Sequence, residues 1–114
     1  MPELLLRRAV HGEGYRYRLH VKNLAGSPDL VFPTRKKVIF VHGCFWHSHR
    51  KCRLGKPPKS NLRFWKPKLE GNRKRDRTNI RKLRRMGWRV LIVWQCNLKA
   101  MNGCLQRVIS FLES

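Results

Sequence analysis

Acidic residues are almost missing from this chain. Six occur in 114 positions, against 27 Lys plus Arg, and the formal charge at pH 7 is +21. A surface so one-sided repels itself, and its complement is a polyanion, nucleic acid ahead of an anionic membrane. The shortage also limits the groups available for acid chemistry to Glu3, Glu13, Asp29, Glu70, Asp76 and Glu113. Long apolar runs are missing as well. None approaches the roughly 18 residues of a spanning helix, and the first residues carry no signal-peptide pattern. The expectation is a cytoplasmic protein with no membrane partner. Cysteine is confined to Cys44, Cys52, Cys96 and Cys104, and without an export signal these read as metal ligands or thiols rather than disulfides. Repeats and low-complexity segments are absent. What is present excludes a disordered basic tail: 41% of residues are hydrophobic, with four Trp and five Phe, enough for the core of one domain spanning 1–114.

The periodicities alternate between helix and strand. Pro2 to Val10 reads as a short helix, with proline in its first turn. Tyr15 to Val21 alternates with the period of a half-buried strand. A Gly26-Ser-Pro turn leads into Asp29 to Phe32, and Val38 to Val41 is a continuous apolar strand. Lys66 to Arg85 has helical propensity, with Leu69, Asp76, Ile80 and Leu83 on one face and Gly87 as its stop. Arg89 to Trp94 is another strand, and Leu105, Val108, Ile109 and Leu112 mark a closing helix. The fold class is α/β, a mixed sheet flanked by helices. Trp88 and Trp94 are expected in the core.

Residues 42–61 lack periodicity but hold three of the five histidines and two cysteines. Cys44, His49 and Cys52 lie within nine positions, and Cys96 follows a strand that can present it to that loop. Four N and S donors suit tetrahedral Zn²⁺ in a closed, structural site, which would staple a loop too polar to order itself. The other reading is buried cysteines and solvated histidines. Cys104 falls in the closing helix and reads as a plain thiol. A nuclease holds Mg²⁺ through one or two carboxylates and waters. Asp29 is the best-placed carboxylate, with the carbonyl of Val41 on the next strand. Its spacing alone favours an Asp that caps a turn after proline. His42 and His47 are the remaining imidazoles, suited to activating water or to contacting phosphate. Asp76, on an apolar helix face, needs a cationic partner. Phe45, Trp46 and Trp65 lie among Lys and Arg, a combination suited to wedging or stacking on bases, or one Trp of each aromatic pair packs into the core.

Several segments together resemble the very short patch repair (Vsr) DNA mismatch endonucleases. They are Glu3-Leu-Leu-Leu-Arg-Arg-Ala, Pro28-Asp-Leu-Val-Phe-Pro, Val38-Ile-Phe-Val-His-Gly-Cys-Phe-Trp-His, Asn61 to Trp65, Asn72-Arg-Lys-Arg-Asp-Arg and Gly87-Trp-Arg-Val-Leu-Ile-Val-Trp-Gln-Cys. The resemblance covers Glu3 to about Lys99. It implies a fold like that of type II restriction endonucleases and a Mg²⁺-dependent nick beside the T of a T:G mismatch. It also implies Mg²⁺ on Asp29 and the Val41 carbonyl, His47 as general base, His42 at the phosphate and Glu3 near the metal and its waters. Cys44, His49, Cys52 and Cys96 would hold structural zinc, Phe45, Trp46 and Trp65 would wedge into DNA, and Asp76 would stand just behind the site. Two departures are expected to matter: the family's N-terminal extension is absent, and two residues rather than one separate His49 from Cys52. A nick in one strand needs only a monomer, acting on double-stranded DNA of the nucleoid. The alternative is a zinc-stabilised module that binds DNA without cutting it. A third reading, an RNA-associated basic zinc protein, predicts a preference for structured RNA.

Overall fold

A computed structural model describes residues 2–19, 21, 23–44 and 60–114, with only the backbone described for residues 2 and 3. Helix α1 (Pro2–Gly12) is followed by β1 (Leu30–Phe32) and β2 (Lys37–His42). Then come α2 (Leu62–Arg85), β3 (Arg89–Trp94), a 3₁₀ turn (Gln95–Ala100) and α3 (Met101–Glu113). The three strands form a sheet in the order β1-β2-β3. β1 runs antiparallel to β2, with Leu30 opposite Ile39 and Phe32 opposite Lys37. β2 runs parallel to β3, from Lys37 opposite Arg89 to His42 opposite Trp94. A mixed α/β sheet is therefore present, as the alternating periodicities predicted.

The strand expected over Tyr15 to Val21 is reduced to a single antiparallel bridge, Arg18 to Val31. Its period-two character survives in burial: Tyr15, Tyr17 and Leu19 are half-buried, while Arg16 and Arg18 are exposed. β1 has only three residues, so it offers an outer strand little backbone to pair with. α2 begins four residues earlier than the sequence suggested and runs through Pro67, which sacrifices one ladder bond near the N-terminal end. Its C-terminus is a Schellman motif. Gly87 takes φ +89°, its N–H donates to Arg84 O at 3.1 Å, and Trp88 N–H donates to Leu83 O at 3.0 Å.

Each face of the sheet buries its own cluster. Leu30, Phe32, Ile39 and Val93 pack against Leu6 and Val10 of α1 and Cys104, Val108 and Leu112 of α3. Val31, Val38 and Phe40 pack on the other side with Leu24 and Leu83 of α2. Trp88 is half-buried on this second cluster, with the Lys36 ammonium 5.3 Å from its ring centre. Trp94 is likewise half-buried rather than core, because it ends β3 at the sheet's rim. α3 is tied down by Lys37, which is only 4% exposed. Its Nζ donates to the main-chain oxygens of Phe111, Leu112 and Ser114 at 2.8, 2.9 and 2.7 Å. A cation at a helix C-terminus complements the carbonyls left there without helical partners.

Candidate active site

The period-two alternation of the strands decides which side chains meet. In β2, Val38 and Phe40 face α2, so His42, two positions on, faces it too. In β1, Val31 faces α2, and Asp29, two positions back, follows. On α2, Leu83 is buried against the sheet; Ile80 and Asp76 lie three and seven residues earlier and share its face. Asp29, Val41, His42 and Asp76 accordingly line one cleft of about 200 Å³, together with Gly26, Ser27, Phe40, Asn79 and Ile80.

The cleft exists because β2 outruns β1. Ladder pairing ends at Leu30 with Ile39; Pro28 has no N–H to give, and Ser27 turns the chain at φ +49°. The Asp29 side chain takes the place of the missing backbone: Val41 N–H donates to Asp29 Oδ2 at 2.6 Å, while Asp29 N–H donates to Ile39 O at 3.1 Å. A strand residue's N–H and C=O point to the same side, so the Val41 carbonyl is directed to the side that carries Asp29. Asp29 therefore does cap a strand end, and its carboxylate lies in the cleft as well. The oxygen donors gathered here, two carboxylates and a main-chain carbonyl, with no thiol among them, suit a hard divalent cation.

His42 is 5% exposed. Its ring packs at 5.6 Å from Phe40 and edge-on at 5.3 Å from Trp94. Trp94 follows from the parallel register, which sets it opposite His42. Sequence reasoning missed it as a neighbour of the site, although the strand pairing contains the signal. It also missed Asn79, whose position one turn after Asp76 is the signal that would have found it. Asn97 Oδ1 accepts the Trp94 N–H at 3.0 Å and so fixes the exit of β3, from which Cys96 projects.

Cys44 is fully buried and lies two residues beyond His42; Cys96 lies two residues beyond Trp94. Because His42 and Trp94 are paired, the two cysteines stand at adjacent ends of neighbouring parallel strands. Among the described residues no group of three or more His, Cys, Asp or Glu forms a metal cluster. His49 and Cys52 lie outside the described residues, as do His47, Phe45, Trp46 and the side chain of Glu3. Cys104 is a core thiol in α3, and burial raises its pKa above the ordinary thiol value. Trp65 is half-buried on α2, edge-on at 5.0 Å to Phe64. Phe64 is 55% exposed, with the Lys68 ammonium 4.3 Å from its ring centre. No helix among the described residues is long and apolar enough to cross a membrane.

Known proteins with similar sequences place this cleft in context. The family described as DNA mismatch endonuclease Vsr matches residues 1–54. A relative from Xanthomonas oryzae pv. oryzae, the Type II nicking enzyme V.XorIIP, is 50% identical over 112 residues, covering 98% of this chain and 82% of the relative. The chain belongs to the Vsr family. A second Vsr relative, the Type II nicking enzyme V.NmeAIP of Neisseria meningitidis, is 42% identical over 94% of this chain and 76% of its own length. The DNA mismatch endonuclease Vsr of Escherichia coli is 44% identical over 85% of this chain and 62% of its own length. As a Vsr protein the chain is an endonuclease that acts on DNA in mismatch repair.

Proposed function

We infer that this Vsr protein nicks one strand of duplex DNA beside the T of a T:G mismatch, with Mg²⁺ as cofactor and a structural zinc ion, in very short patch repair. The observation that carries the reading is the convergence of Asp29, Val41, His42 and Asp76 on one cleft. It is supported by the nicking enzymes among the relatives. Asp29 and the Val41 carbonyl would hold Mg²⁺, which when bound offsets the charge that develops on the scissile phosphate. His42, wedged between Phe40 and Trp94, has little rotational freedom and would present one ring nitrogen to a phosphate oxygen. His47 would take the proton of the attacking water, and Glu3 would order the waters around it. Asp76 lines the α2 wall of the cleft, behind these groups. Phe45, Trp46 and Trp65 would enter the base stack at the mismatch. Cys44, His49, Cys52 and Cys96 would bind the zinc. One cleft cuts one strand, so a monomer suffices.

The test is a strand-specific nicking assay on labelled duplexes carrying T:G or matched C:G, with and without Mg²⁺. The expected result is a Mg²⁺-dependent cut confined to the T strand of the mismatched duplex. Asp29→Asn keeps an oxygen for the Val41 N–H and removes the charge. It should reduce nicking about 10³-fold or more while DNA binding persists. Nicking by Asp29→Asn at the unaltered rate, or equal cutting of T:G and C:G duplexes, would overturn the assignment.

A further inference from the structure

Asn79 belongs to none of the roles assigned above, yet it lines the cleft beside Asp29 and Asp76. Opposite it, the chain makes a tight turn. Ser27 N–H donates to Leu24 O at 3.3 Å, and Gly26, in the third position of the turn, takes φ +76°. The bare Cα of Gly26 faces Asn79 most closely. A Cβ built there would lie 3.0 Å from Asn79 Cβ, 3.1 Å from Nδ2 and 3.3 Å from Cγ, with no other group among its nearest neighbours. Asn79 Cβ is attached directly to the α2 backbone and cannot swing aside, so the approach is set by the helix.

Three residues after Gly26 the same segment delivers Asp29. Its reach is short: Ser27 at φ +49° and Pro28 are the only residues between. α2 is anchored to the sheet through Leu83, one turn further on. The contact between Gly26 and Asn79 is thus where α2 meets the turn that presents the carboxylate.

We propose that Asn79 is a positioning residue of this endonuclease: packed on the bare Cα of Gly26, it sets where the turn from Gly26 to Asp29 holds the Asp29 carboxylate against the Val41 N–H. The inference rests on the reading of Asp29 as the metal-holding group, and it adds a requirement that the reading does not contain. Asn79 acts through the turn; it does not touch the reacting atoms. The neutral side chain also lines the cleft that holds Asp29 and Asp76 without adding a third negative charge.

The test is a double-mutant cycle of Gly26→Ala and Asn79→Gly, read in two ways on the whole chain. The first is the position of the Val41 amide resonance in ¹⁵N–¹H spectra of the protein without DNA, which reports the Asp29 hydrogen bond. The second is single-turnover nicking of a T:G duplex, with kcat separated from KM. Gly26→Ala alone should shift the Val41 amide and lower kcat about 10²-fold, with KM for DNA nearly unchanged. In the Asn79→Gly background the same change should cost about tenfold or less, because the Cβ clash is gone while the φ strain and the helix penalty cancel around the cycle. Additive effects in both readouts would overturn the proposal, as would a Val41 resonance that ignores Gly26→Ala. The spectral arm judges the clamp even if the wild-type chain proves not to nick, so failure of the clamp and failure of the functional reading are distinguishable.

Discussion

At the scale of single residues, two buried polar groups show how different constraints read in a sequence. Asp29 and His42 fall on one face by alternation once the packing of Val31 and Phe40 has fixed the direction of each strand. Lys37 gave no such sign. A lysine at the start of an apolar strand reads as a solvated end, whereas here it is the buried clamp on α3. Burial lowers its pKa below the usual lysine value, and the nearby Arg89 and Arg35 push the same way. Lys37→Met removes the donor for three main-chain oxygens and should cost about 2 kcal/mol in urea unfolding at pH 7. The pH dependence has a definite sign. With a lowered native pKa, the unfolded chain binds the proton more tightly than the native chain. Wild-type stability from this group therefore rises as pH climbs from the native pKa toward 10.5. The gap between wild type and Lys37→Met should widen over that window, and a gap that narrows would show that the lysine is not desolvated. The place of Asn79 beside the cleft follows from its spacing to Asp76, but its proposed positioning role was illegible, because that role lies in the absence of a Cβ on a glycine far away in sequence.

Elements were legible where their burial was continuous and obscure where pairing depended on a neighbour's length. β2, β3 and α3 follow from apolar runs and helical spacing that no other structure satisfies. The segment from Tyr15 to Val21 has the alternation of a strand, but whether it forms a ladder depends on β1, which stops after three residues at Pro33. The early start of α2 at Leu62 was hidden by Pro67, which reads as a breaker and is tolerated near a helix start. What no periodicity encodes is the parallel register of β2 and β3, and this register pairs the strand ends that lead, two residues on, to Cys44 and Cys96. From that pairing follows a test of the proposed zinc site. Cys96→Ser should drop the metal content of the purified protein from one zinc per chain to a small fraction, read by elemental analysis. It should also lower Tm, since a site missing one of four ligands no longer ties the strand ends to the segment carrying His49 and Cys52. Cys104→Ser, in the core of α3, should leave the zinc content unchanged. Full zinc in Cys96→Ser would remove Cys96 from the ligand set.

For the whole molecule, the excess of positive charge was the most legible feature and the one the fold uses most unevenly. α2 carries eleven Lys and Arg among 24 residues against two acids. Of the two, Asp76 belongs to the cleft side, so the outer faces of the helix are almost purely cationic. This distribution puts the densest run of positive charge on the helix that lines the cleft. If the helix grips DNA through its backbone, each phosphate neutralised releases condensed counterions, and log K should fall with log salt by about 0.9 per contact. Six contacts from α2 and its surroundings would give a slope near −5 and about a 10³-fold loss of affinity between 50 and 200 mM salt. The rate at saturating DNA should hardly change over the same range, because Asp29, Val41 and His42 meet in a partly enclosed cleft where bulk ions screen poorly. Fluorescence anisotropy for binding and single-turnover nicking for chemistry separate the two quantities. A slope shallower than about −2 would mean that only one or two phosphates are held. The cations of α2 would then serve solubility rather than grip, and aromatic insertion would have to supply most of the affinity.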